Sequence, residues 1–174
     1  PQRRLVVEML ARTGLRVTEF CELTDDAIVK MNETNWLRVP VGKLHTDRYV
    51  PLHPSLIELH RTWLDWNGPN TTGRLISNKG RPLSVDVVRR IVKRCARIAG
   101  IGHVHPHQLR HTLATQSINN GMSLEAVSAM LGHRSMRMTL VYARIADRTV
   151  AEEYFAAADK VDQLYTTHLT TSPA

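Results

Sequence analysis

At 174 residues, 43% of them hydrophobic, the chain is long enough to close one apolar core and lacks the composition of a disordered protein. It carries 23 Lys and Arg against 16 Asp and Glu, a formal charge of +7, so its summed field attracts polyanions, with nucleic acid the leading partner class. Cys21 and Cys95 stand alone in apolar helical patterns, which excludes a zinc ribbon and predicts reduced thiols. The absence of any apolar run of roughly 18 residues, or of a signal peptide in "PQRRLVVEMLARTG", predicts a soluble, cytoplasmic protein with no membrane partner.

In chain order, "RRLVVEMLARTG" places Leu5, Val6, Met9 and Leu10 on one helical face and stops at Gly14. The chain opens almost inside this helix, so a fragment of a longer protein is expected. A short helix, "RVTEFCELT", follows. "AIVKMN", "WLRVPV" and "RYVPL" are rich in β-formers and predict a small antiparallel sheet, the last two forming a hairpin with "GKLHTD" at its tip. "LIELHRTWLDW" returns to helix, and the loop "NGPNTTGRLISNKGRPL" leads to Ser84, an expected N-cap.

The helix from that cap, "SVDVVRRIVKRCARIAG", has an apolar stripe of Val85, Val88, Ile91, Val92, Cys95, Ile98 and Ala99, with Arg90, Lys93, Arg94 and Arg97 opposite. Four cations at helical spacing suit DNA phosphates, although a solvated face has the same pattern. "HQLRHTLATQSINNG" and "SLEAVSAMLG" each end in glycine. "SMRMTLVYARI" and "TVAEEYFAAADKVDQLY" complete a helical C-terminal half, and residues 166–174 are expected to be a flexible tail. The predicted fold class is α+β, mainly α-helical, with a small three-stranded antiparallel sheet near the N-terminus.

The densest chemical signal is "HVHPHQLRHTLAT", residues 103–115. His107 and His111 have a metal-sharing spacing. Position 108 is Gln, not the Glu a metalloprotease helix needs, and Arg110 on the same face repels a dication, so no metal is expected. His107 and Arg110 stand i,i+3, where imidazole and guanidinium donors converge on a tetrahedral oxyanion. Taken alone, an H-x-x-R pair is an ordinary surface pair. Likewise a lone Tyr142 among Met138, Val141 and Ile145 is a core aromatic, and Met130, Met136 and Met138 are packing residues.

Four blocks in order, "TGLRVTE", "GK....RYVPL", "HPHQLRHTLAT" and "LGHRSMRMTLVY", change that balance, and together they resemble the catalytic domain of the tyrosine recombinase (phage integrase) family from about residue 9 to 160. The resemblance implies the catalytic set Arg16, Lys43, His107, Arg110, His133 and Tyr142, with Glu19 in support. It also implies a catalytic domain over residues 1–165, without the N-terminal DNA-binding arm domain that family members carry. The activity implied is site-specific DNA strand cleavage and rejoining through a 3′-phosphotyrosine, with no metal, ATP or other cofactor. Double-stranded DNA is the implied partner, with a monomer alone and a tetramer on paired sites. His103 and His105 match no catalytic position and are taken as loop residues, and His111 as a brace for its helix.

The chemistry fits these groups. Two arginines can neutralise the charge that builds on the non-bridging oxygens during attack on a phosphodiester. Tyr142, a phenol of pKa about 10, needs a base, for which His107 is the candidate. The leaving 5′-oxygen needs a proton, for which Lys43 is the candidate. One departure stands at the hairpin tip: Lys43-Leu44-His45-Thr46 lacks the glycine after the lysine and the second lysine three residues on that family members usually have. The alternatives are a type IB topoisomerase and a non-catalytic DNA-binding relative.

Overall fold

The computed structural model describes residues 1–40, 47–68 and 71–133. Lys43 at the expected hairpin tip, the two helices expected after His133 with Tyr142, and the expected tail lie outside the described residues.

Helix α1, Gln2–Thr13, is the central post of the molecule. Its predicted face of Leu5, Val6, Met9 and Leu10 is fully buried and packs against α3 (Pro54–Asn67), α4 (Val85–Ile98) and α5 (Pro106–Asn119). Burying side chains of this size contributes roughly 1.5–3 kcal/mol each. Helix α2, Val17–Glu22, follows after a sharp turn at Gly14, and α6, Leu124–Leu131, packs on α5 and on the sheet. Strands β1 (Ile28–Met31), β2 (Thr34–Val39) and β3 (Arg48–Leu52) form one antiparallel sheet in that order, as the sequence predicts.

Pairing of β2 with β3 runs up to Val39 opposite Arg48, so the segment carrying Lys43 is the connection between these two residues. Strand β3 alternates strictly, with Arg48, Val50 and Leu52 buried and Tyr49 and Pro51 exposed. Ser84 is an N-cap as expected, accepting from the Val87 amide.

Two details differ from expectation. Inside the supposed loop, β4 (Ser77–Asn78) and β5 (Arg81–Pro82) form a minimal hairpin. Its turn residues Lys79 and Gly80 both have positive φ, the twist that tight two-residue hairpins require. The apolar stripe of α4 also stops early: Ile98 is 70% exposed and Ala99 is exposed too, because the last turn of α4 runs past the core. Among the described residues, no helix is long and apolar enough to cross a membrane.

Candidate active site

Three helix ends meet around two buried arginines. Helix α1 ends at Gly14 in the left-handed conformation (φ 63°), its amide donating to the Leu10 carbonyl. Helix α6 ends in a Schellman turn, with Gly132 (φ 65°) donating to Ala129 and His133 to Ser128. Both glycines are sterically required. A Cβ on Gly14 would lie 2.5 Å from the Leu131 side chain, and one on Gly132 would lie 2.9 Å from Cδ of Arg48. The "TG" and "LG" of the sequence blocks thus mark places where two elements touch.

Arg110, on the first turns of α5, is only 2% exposed. Its Nη1 donates to the Gly14 carbonyl and its Nη2 to the Leu131 carbonyl at 2.7 Å. These carbonyls sit at the negative ends of α1 and α6, which compensates for burying a guanidinium. Arg110 therefore does more than sequence reasoning assigned it: besides facing the candidate site, it joins two helix termini.

Arg16 is the N-cap of α2, and its exposed guanidinium donates to Oε1 of Glu19 at 2.8 Å. Glu19 also accepts from the Arg16 amide through Oε2 at 2.8 Å, tying off the helix start. A second guanidinium, that of Arg48, grips both oxygens of Glu19 at 2.9 and 2.8 Å. Burial alone would raise the Glu19 pKa, but the Arg48 hydrogen bonds, the Arg16 amide and the Arg48 charge prevail and hold it at about 2. Glu19 is thus an anion near neutral pH, shared by the side chains of Arg16 and Arg48.

Arg16, Arg110 and His107 line one cavity of about 280 Å³, together with Val17, Pro106 and Arg89. His107 is exposed at the start of α5, its ring edge-on to that of His111 at 4.4 Å between centroids. Partial desolvation, His111, Arg110 and Arg16 all lower its pKa, so it is a neutral imidazole near pH 7. His133 is not among the cavity residues, but it leaves the α6 turn within electrostatic reach of Arg110, Arg16, Arg48 and His111. Desolvation first, and then the charges of Arg110, Arg16 and Arg48 with a contribution from His111, bring its pKa down to about 4. It too is neutral near pH 7, with one ring N–H able to donate.

The structure thus brings together Arg16, Glu19, His107, Arg110 and His133, which lie apart in sequence; Lys43 and Tyr142 fall outside the described residues. His105 caps α5 by its backbone, its amide donating to Oε1 of Gln108 at 2.6 Å, which explains a glutamine at that position. Arg90, Lys93, Arg94 and Arg97 line a surface hollow of about 620 Å³ with His103. Among the described residues, no group of three or more His, Cys, Asp or Glu is placed to hold a metal ion. Sequence reasoning missed Arg48 and Arg89. The signal for Arg48 was present, since the alternation of "RYVPL" puts it on the same face as Val50 and Leu52. Nothing local marks Arg89, whose place in the cavity depends on how α4 meets α2.

The described residues form a mainly helical domain with a small sheet, in which a cluster of arginine and histidine side chains is built on helix ends. Residues 2–149 match the model of the phage integrase family, and the chain belongs to that family. It is similar to the tyrosine recombinase XerC of Corynebacterium glutamicum, 36% identical over 155 residues that make up 86% of this chain and 48% of that protein. It is also 34% identical to the tyrosine recombinase XerA of Pyrococcus furiosus over 152 residues, 86% of this chain and 52% of that one. The chain spans about half the length of the curated relatives it matches.

Among solved structures, it superimposes on the XerH site-specific recombinase bound to a palindromic difH substrate, a post-cleavage complex. The TM-score is 0.76 at 26% identity, covering 88% of this chain and 45% of that one. The XerA recombinase structure gives a TM-score of 0.72 at 27% identity, covering 90% and 62%.

Proposed function

We propose that this chain is the catalytic domain, over residues 1–165, of a site-specific DNA recombinase that cleaves and rejoins DNA strands through a covalent phosphotyrosine. The observation that carries the proposal is the convergence of Arg16, His107 and Arg110 on one cavity, with His133 beside them. Helix ends fix each of these groups, so the cluster is preorganised before any phosphate arrives.

In this account the scissile phosphate sits against Arg16 and Arg110, with neutral His133 donating to a non-bridging oxygen. The Tyr142 hydroxyl oxygen attacks phosphorus while neutral His107 takes its proton. The P–O5′ bond breaks, and Lys43 delivers a proton to the departing 5′-oxygen. A 3′-phosphotyrosine and a 5′-hydroxyl result, and a 5′-hydroxyl from another strand reverses the step, so neither ATP nor metal enters the balance. Arg90, Lys93, Arg94 and Arg97 hold the flanking duplex by its phosphates. The protein is a monomer alone and a tetramer on paired DNA sites, acting on DNA in the cytoplasm.

The test is a duplex nicked next to the cleavage site, so that the released fragment diffuses away and the adduct accumulates. The wild-type chain forms the adduct with or without a chelator, and Tyr142→Phe binds the duplex but forms none. An adduct of equal yield in Tyr142→Phe would refute the assignment. Relaxation of supercoiled plasmid without sequence preference would favour a topoisomerase instead.

A further inference from the structure

Arg48 has no part in the catalytic set, yet it is 8% exposed and each of its three guanidinium nitrogens donates to protein. Nη1 and Nη2 take the two oxygens of Glu19, and Nε donates to the Met130 carbonyl at 3.1 Å. Its stem packs against Gly132, whose missing Cβ makes the approach possible. One side chain therefore touches three separate pieces of the site: α2 through Glu19, the end of α6 through Met130 and Gly132, and β3, from which it springs.

Two of these pieces carry a member of the proposed catalytic set, Arg16 at the start of α2 and His133 after α6. Glu19 holds Arg16 by both side chain and backbone. Gly132 immediately precedes His133, and β3 begins at Arg48, five residues after Lys43. A bidentate guanidinium–carboxylate pair fixes orientation as well as distance, which a lysine cannot do. A stabilising side chain alone would not need to join the Arg16 and His133 segments, and an apolar residue of similar size would fill the same space at less desolvation cost.

Resting on the recombinase function proposed above, we infer that Arg48 is a positioning residue for strand cleavage, holding the Arg16 loop and the His133 turn in register around the phosphate.

The experiment compares wild type, Arg48→Lys, Glu19→Gln and the double variant on the nicked duplex at saturating protein. It measures adduct formation rate and DNA affinity separately, with circular dichroism melts as the folding control. Arg48→Lys keeps the charge and loses the two-pronged grip. The expected result is a rate lower by about 100-fold with affinity unchanged, since a displacement near 1 Å costs about that much. Glu19→Gln preserves shape if Arg48→Lys does not fold, and should slow cleavage similarly. The double variant should be no slower than the worse single one, as for groups acting through one contact. A folded Arg48→Lys or Glu19→Gln that cleaves at the wild-type rate, or that loses affinity in proportion to rate, overturns the role. A wild-type chain that forms no adduct overturns the recombinase function itself, and this role with it.

Discussion

Arg110, placed at the scissile phosphate in the proposed mechanism, also ties two helix ends together, and this structural part can be measured without DNA. Replacing it with Ala removes the donors to the carbonyls of Gly14 and Leu131, both at helix ends beside the buried guanidinium. An orphaned buried acceptor costs roughly 1–3 kcal/mol, so the two together cost about 2–6 kcal/mol. The adjoining cavity of about 280 Å³ lets water reach part of the gap, which places the expected loss near about 3 kcal/mol. With a urea m-value of about 2 kcal/mol/M for a chain of this size, the midpoint should fall by about 1.5 M at unchanged m. Arg110→Lys keeps a cation that reaches one carbonyl and should lose about half as much. The assay is urea unfolding followed by far-ultraviolet circular dichroism. An Arg110→Ala midpoint equal to that of wild type would show that the helix ends do not depend on this guanidinium, and the account of the site's rigidity would fail.

Acid should unfold the protein partly through Glu19. The folded carboxyl is held at about 2 against 4.5 for an ordinary glutamate, so its contribution is complete above about pH 5 and disappears as pH falls toward 2. The full shift corresponds to about 3 kcal/mol, which solvent access trims to about 2 kcal/mol, and Glu19→Gln should flatten the stability curve over that interval in urea titrations at stepped pH. His133 acts higher: the unfolded imidazole binds a proton near pH 6.5 that the folded one refuses down to about 4, so folding weakens progressively across that window. His133→Gln should remove this part of the slope, and an unchanged slope would contradict its placement among the cations. For DNA, each Ala replacement of Arg90, Lys93, Arg94 or Arg97 should lower the slope of log affinity against log salt by about 0.9, measured by fluorescence anisotropy on a labelled duplex. Slopes equal to wild type for all four would remove α4 from the interface.

Much of this site could be read from the chain because its residues sit at element ends, where sequence signals are strongest. The glycines after α1 and α6, the proline and glutamine that start α5 and the serine before α4 each announce a terminus, and the reactive groups are placed relative to those termini. The sheet was legible because "AIVKMN", "WLRVPV" and "RYVPL" are rich in β-formers and separated by polar turns. What escaped depends on contacts between distant segments. Nothing near Arg110 in sequence says that its partners are the carbonyls of Gly14 and Leu131, 96 and 21 residues away. The grip of Arg48 on Glu19 spans 29 residues in the same way. The hairpin of β4 and β5 was hidden by strands of only two residues, too short for any periodicity to show.

The most direct test of the central claim is to digest the trapped protein–DNA adduct and locate the nucleotide by tandem mass spectrometry. A phosphodiester-linked nucleotide on the peptide containing Tyr142, attached through its 3′-phosphate, is the predicted result. A nucleotide carried by any other side chain, or attached through a 5′-phosphate, would contradict the proposed gathering of the phenol, two arginines and two histidines around one phosphorus.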